Sequence, residues 1–301
     1  MIAPPRLRPG DAVSIVAPSG PFDRATFERG LAVVSSMGFT PRFDDRIFSR
    51  WRYLAGPDEA RRALWEEAVA DPETTALWCA RGGYGATRLL GSLSLRTLVS
   101  RPKLLVGFSD VTALHAAVNA RGLRSLHGPV VTQLSGQPPE VLDRLRRALL
   151  SAQPPAPLAA LPARRLVPGT ATGLLFGGNL AVFSRLAGTP YLPSLSGAVL
   201  LLEDVGERPY RIDRMWTHLR AAGAFDGLRG VAVGDLVRCE EPEGDYSALD
   251  VVEDLCRELG VPAAAGFPVG HGNVNHPVPL GARVRLDAEA GTLDFLEGAV
   301  A

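Results

Sequence analysis

The chain has 301 residues, 46% of them hydrophobic, and its 32 basic and 32 acidic side chains balance to a formal charge of zero. That length exceeds one ordinary core and suggests two domains, while the neutral, interspersed charge leaves no electrostatic footprint for nucleic acid or an anionic membrane surface. No stretch reaches the roughly 18 consecutive apolar residues a bilayer span needs, and "MIAPPRLRPGDAV" lacks a continuous apolar leader, so a cytoplasmic protein is expected.

From residue 11 onward the chain alternates two periods. "DAVSIVAP" is strand-like, "RATFERGLAVVSSMG" and "DEARRALWEEAVAD" carry helical spacing, and "TALWCA" and "KLLVGF" are short apolar runs of buried-strand type. This predicts an α/β fold whose N-terminal domain, residues 1–150, is a doubly wound, mostly parallel sheet ending in the helix "PPEVLDRLRRALL" (138–150). Ligands in that architecture sit beyond the carboxyl ends of the strands, where "APSGP" (17–21), "RGGYGA" (81–86) and "GFSD" (107–110) fall. Residues 151–170, rich in proline and alanine without a sustained period, read as a stiff linker. Residues 171–301 read as a smaller mixed α/β domain, with strands in "GAVLLLED" and "GVAVGDLV", helices in "YRIDRMWTHLRAAGAF" and "DYSALDVVEDLCRELG", and a terminal hairpin over 282–299.

Metal chemistry has little to start from. None of the five histidines forms an HxH or HxxxH pair, and Cys79, Cys239 and Cys256 lack paired spacing, so reduced core cysteines, no metal and no cofactor are expected. Ser109 stands where "KLLVGF" turns into a helix. Serine before an acid is the ordinary way to cap a helix, but a tight strand-to-helix turn also lifts a nucleophile above a sheet edge. The second glycine of the usual elbow is missing here, and Lys103, the only lysine, lies in the strand leading to Ser109 rather than one helical turn away. "RGGYG" lacks the full spacing of a nucleotide loop. It serves either as a packing turn or as a source of backbone N–H groups for an oxyanion. Glu203 and Asp204 end an apolar strand, and alternation sends them to opposite faces; the alternative is a pair of exposed strand-end acids. His271 lies between glycines in "PVGHGNVNHPVPLGA", and His276 follows in the same loop. The order serine, acid, histidine is that of hydrolases carrying their serine on an elbow.

Taken in order, "IVAPSG", "RGGYGA", "GFSDVTALH", "HGP", "GGNL", "LEDVGERPYRIDRM", "GHGN" and "LGARVRLD" resemble the LD-carboxypeptidases, also called muramoyltetrapeptide carboxypeptidases, over nearly the whole chain. The resemblance implies a Ser109–His271–Glu203 triad assembled between the two domains, oxyanion donors at the Asp110 N–H and in the "RGG" loop at Gly83, a murein peptide substrate losing its terminal D-alanine, and a homodimer. Within the same motifs lies a rival, the microcin C immunity peptidases, which cleave peptidyl or aminoacyl adenylates. A second rival of another class is a non-catalytic module whose glycine loops hold a small anion. Arg81, the only basic residue in the three loops, is the candidate for reading a substrate carboxylate; pairing with a neighbouring acid is its ordinary alternative.

Overall fold

In the computed structural model, which describes residues 1–242 and 244–301, the apolar runs become strands of two sheets. Strands β1 (Ala12–Val16), β2 (Thr40–Arg42), β3 (Thr74–Cys79), β4 (Leu104–Gly107) and β5 (Ser125–His127) pair in parallel. Then follow β6 (Leu158–Ala159), β7 (Arg164–Val167), β8 (Thr170–Asn179), β9 (Ala198–Val205), β10 (Gly230–Val237), β11 (Ala263–Ala265), β12 (Val278–Leu280), β13 (Arg283–Asp287) and β14 (Thr292–Phe295). The first sheet has the order β12-β5-β4-β3-β1-β2 and the second β6-β14-β13-β8-β9-β10-β11-β7. The fold is mixed α/β: helices pack over both faces of the first sheet and one face of the second, whose other face is closed by strand and loop residues such as Phe267, Val269, Val278 and Leu280.

Two features depart from a simple division of the chain. The 151–170 stretch supplies β6 and β7, which close the two edges of the second sheet, because its backbone groups find ladder partners there. Strand β12 pairs antiparallel with β5, so the chain leaves the second sheet after β11 and returns to the first. The second sheet, with eight strands, is also the larger of the two.

One core runs between them. The helix Thr112–Asn119 is buried at every position, with Val111, Leu114 and Val118 in the same cluster as Phe176, Leu200 and Trp216 of the second sheet and its helices. Its polar residues are absorbed locally: Asn119 Nδ2 donates to the Leu123 carbonyl at 2.8 Å, and Thr112 Oγ1 accepts the Asn179 N–H at 3.0 Å. The element that follows Ser109 is thus wedged against the sheet that carries Glu203. No helix among the described residues is long and apolar enough to cross a membrane.

Candidate active site

Strand β4 ends at Gly107, Phe108 stays extended, and Ser109 takes φ 64°, a left-handed conformation that a residue with a Cβ adopts at a cost of about 1–3 kcal/mol. A helix cap needs β-region backbone angles and a side chain turned back onto the first turn. Ser109 has neither, so the capping alternative fails: its Oγ lies 3.1 Å from His271 Nε2.

His271 Nδ1 lies 2.6 Å from Glu203 Oε2, and Glu203 is fully buried at the end of β9. The imidazole also packs on the Phe108 ring, centroids 4.8 Å apart. Desolvation pushes the His271 pKa down, but the Glu203 hydrogen bond and the charges of Glu203, Asp204 and Asp235 together outweigh it and the net direction is up. The fit is close. A Cβ on Gly270 would stand 2.7 Å from Glu203 Oε2, which accounts for one of the glycines flanking His271.

Strand alternation holds for the neighbouring acid, but the alternative of a pair of exposed strand-end acids does not. Asp204 is buried; Oδ1 accepts from Asn179 Nδ2 at 3.1 Å and from the Val205 N–H at 2.8 Å, and Oδ2 from the Ala181 N–H at 2.8 Å. Burial first, then the charge of Glu203, pushes its carboxyl up to about 6 against those bonds. Its carboxylate is turned to the start of the helix Leu180–Ser184 and acts on His271 through its charge.

The three loops at the sheet edge are joined by one carboxylate. Asp110 Oδ2 accepts from Ser19 Oγ at 2.6 Å and from the Ala86 N–H at 2.8 Å, linking "GFSD" to "APSGP" and to the helix after "RGGYG". Burial raises the Asp110 pKa, with Ser19, Ala86 and the charge of Arg61 opposing. Arg61, read from sequence as part of an ordinary helix, is itself buried: it donates to the carbonyls of Pro18, Gly85 (3.0 Å) and Gly56 (3.2 Å) and pairs with Asp58. Within the "RGG" loop it is Gly82 that faces the serine, since a Cβ there would stand 2.9 Å from Ser109 Oγ; Gly83, with φ 106°, lies against Gly20. Sequence reading singled out neither Gly82 nor Arg61.

Arg81 is exposed and donates to the Pro21 carbonyl; among the described residues no carboxylate is within ion-pair distance of it. It lines an open groove of about 690 Å³ with Gly20, Pro21, Tyr53, Gly83 and Tyr84, and the two half-exposed tyrosine rings are 5.8 Å apart. His276 is not brought to the serine; its N–H bonds the Pro268 carbonyl, and burial lowers its pKa. The three cysteines are free and buried. Among the described residues no group of three or more His, Cys, Asp or Glu is arranged to hold a metal.

Comparison with known proteins gives the same family twice. The LD-carboxypeptidase N-terminal domain matches residues 13–128 and the LD-carboxypeptidase C-terminal domain residues 172–286. The murein tetrapeptide carboxypeptidase of Pseudomonas aeruginosa is 32% identical over 285 residues, 91% of this chain and 92% of that protein. Among solved structures, the muramoyltetrapeptide carboxypeptidase of Oxalobacter formigenes superposes with a TM-score of 0.85 at 28% identity, covering 94% of this chain and 98% of that one. MccF in complex with glutamyl sulfamoyl guanosine has a TM-score of 0.91 at 20% identity over the whole of both chains, a likeness of fold.

Proposed function

The chain belongs to the LD-carboxypeptidase family, and we propose that it acts there as a serine peptidase that removes the terminal D-alanine from a murein tetrapeptide in the cytoplasm, during recycling of the cell wall. The observation that carries this is the unbroken run from Ser109 Oγ through the His271 ring to the buried Glu203 carboxylate, with the serine held at positive φ on the turn above a parallel sheet.

An alcohol is a weak nucleophile near neutral pH until a base takes its proton, and the base needs an acceptor to fix its tautomer. Ser109 Oγ attacks the carbonyl carbon of the L,D-amide as His271 Nε2 takes the hydroxyl proton, while Glu203 accepts from Nδ1–H and stabilises the imidazolium. The oxyanion of the tetrahedral intermediate is received by the Asp110 and Gly83 N–H groups. Collapse passes the proton from His271 to the amine of the departing D-alanine. Water, deprotonated by the same imidazole, then releases the acyl group from Ser109. Arg81, with no carboxylate in ion-pair distance among the described residues, reads the terminal carboxylate from the groove beside Gly83.

Cleavage of a peptidyl or aminoacyl adenylate is a second reading, favoured by the Tyr53–Tyr84 pair, whose half-exposed faces offer a base a stacking surface; Trp216, by contrast, is packed in the core against Phe225. The deciding experiment is a mass-spectrometric screen of murein tripeptides, tetrapeptides and acyl-adenylate analogues, with a fluorophosphonate probe to locate the reactive serine. Labelling of Ser109 and release of D-alanine are expected. A non-catalytic anion-binding module would neither label nor turn over.

A further inference from the structure

We propose that Asp235 is a positioning residue for His271, gripping the backbone of the loop that carries the imidazole while Glu203 grips its ring. The inference rests on His271 being the general base. Glu203 and Asp235 lie toward the carboxyl ends of neighbouring parallel strands, β9 and β10, and both side chains reach the same tripeptide, Gly270–His271–Gly272. Asp235 holds that tripeptide from both sides: its N–H donates to the Val269 carbonyl at 2.9 Å, and its Oδ2 accepts the Gly272 N–H at 3.0 Å. The Gly270 N–H is fixed separately by Asn275 Oδ1 at 3.0 Å.

The glycines on either side of His271 now have two distinct reasons. A Cβ on Gly270 would collide with Glu203, and one on Gly272 would stand 2.6 Å from Asp235 Oδ2. Each carboxylate therefore closes on the loop only because its facing residue has no side chain. A loop histidine free to swing by 1 Å loses alignment with its serine, and such misplacement costs about a hundredfold in rate.

Asp235 also contributes charge. The charged and titratable groups around the imidazole are Glu203 and Asp204 from β9, Asp235 from β10, and His127 from β5, which burial holds neutral. Burial, then the charge of Glu203, pushes Asp235 itself up to about 6, against the Gly272 bond and the attraction of His271. Its other side borders an open groove lined by Pro162, Leu236, Cys239, Glu240 and Leu249, so this carboxylate is accessible to solvent in a way that Glu203 is not.

The test compares full-length Asp235→Ala and Asp235→Asn with the unmodified protein. In the alanine variant kcat on the tetrapeptide should fall by about ten- to a hundredfold, with KM within about threefold. The asparagine variant, whose amide oxygen still accepts the Gly272 N–H, should recover to within about threefold of the unmodified kcat. In both variants the His271 titration, followed by NMR of its ring protons without substrate, should move to lower pH, because a negative charge that favours the imidazolium has gone. An alanine variant with unmodified kcat, an asparagine variant as slow as the alanine one, or an unmoved His271 titration each overturns the proposal. Should the alanine variant not fold, the asparagine titration decides. If the unmodified protein fails to cleave any murein peptide the proposed substrate falls, whereas the titration still reads the contact between Asp235 and the His271 loop.

Discussion

Gly82 and Ser109 meet so closely that a methyl group on the glycine would lie 2.8 Å from the serine Cβ and 2.9 Å from its Oγ. The contact sets the distance between the glycine loop and the hydroxyl, and it leaves no room for a larger residue without moving one or the other.

Gly82→Ala is accordingly expected to reduce kcat at least tenfold by displacing Ser109 from His271. Phosphonate labelling of Ser109 should slow in step with turnover. Unchanged labelling would mean that the loop yields and that the contact sets nothing.

Ser109→Ala should abolish D-alanine release while leaving urea stability within about 1 kcal/mol, since Ser109 caps no helix and alanine keeps the same strained φ. Ser109→Gly should be equally dead yet more resistant to urea than the alanine variant, because glycine accepts φ 64° without the Cβ penalty. A more stable alanine variant would remove strain from the account of this turn.

Glu203 and Asp204 should separate cleanly by assay. Glu203→Gln is expected to lower kcat by about 10³–10⁴-fold at nearly constant KM, the consequence of losing the acceptor that holds the imidazole tautomer. Asp204→Asn should instead lose about 1–3 kcal/mol of stability, because one carboxylate satisfies three N–H groups in a buried place, and the folded fraction should still label at Ser109. Greater catalytic loss at Asp204 would reverse the two roles.

The pH profile follows from the sign of the His271 shift. A general base works in its neutral form, and the Glu203 bond with the surrounding carboxylates raises His271 above the ordinary 6.5 despite desolvation. The acid limb of kcat/KM should therefore have its midpoint above 6.5. The linked stability runs the other way: it is fully present below the unfolded value of 6.5 and is lost as pH rises through the folded one. A limb centred below 6.5 would contradict the ion-pair geometry.

Substrate recognition is tested at the far end of the peptide. An amide-capped terminus should abolish cleavage, a terminal L-alanine should be cut far more slowly than the D form, and Arg81→Ala should raise KM for the free acid. EDTA should leave the rate unchanged. Equal cleavage of acid and amide, or turnover of an acyl adenylate far above any murein peptide, would move the assignment to the immunity-type activity.

Much of this site was legible because it sits at strand ends. The alternation of strand and helix placed three loops on one sheet edge, and the motifs around Ser109, Glu203 and His271 lie there or reach it. What escaped depends on distant partners. A helical period cannot tell that Arg61 turns inward, because the carbonyls that receive it belong to Pro18, Gly56 and Gly85. Alternation separated Glu203 from Asp204 but could not bury the second, whose donors come from Asn179 and Ala181, 25 and 23 residues away. Composition made 151–170 a linker, whereas strand pairing is a property of the surface it meets.

The path of the chain around His271 bears on when the hydroxyl becomes reactive. The loop leaves β11 in the second sheet and re-enters the first at β12, and Ser109 precedes His271 by 162 residues. During synthesis the first five strands and the Ser109 turn are made while the imidazole has yet to be translated. If His271 is the base that activates Ser109, the alcohol of a growing chain would be inert until then. On the proposed mechanism, hydrolytic competence would arrive only when the returning strand β12 pairs with β5 and brings His271 across to Ser109.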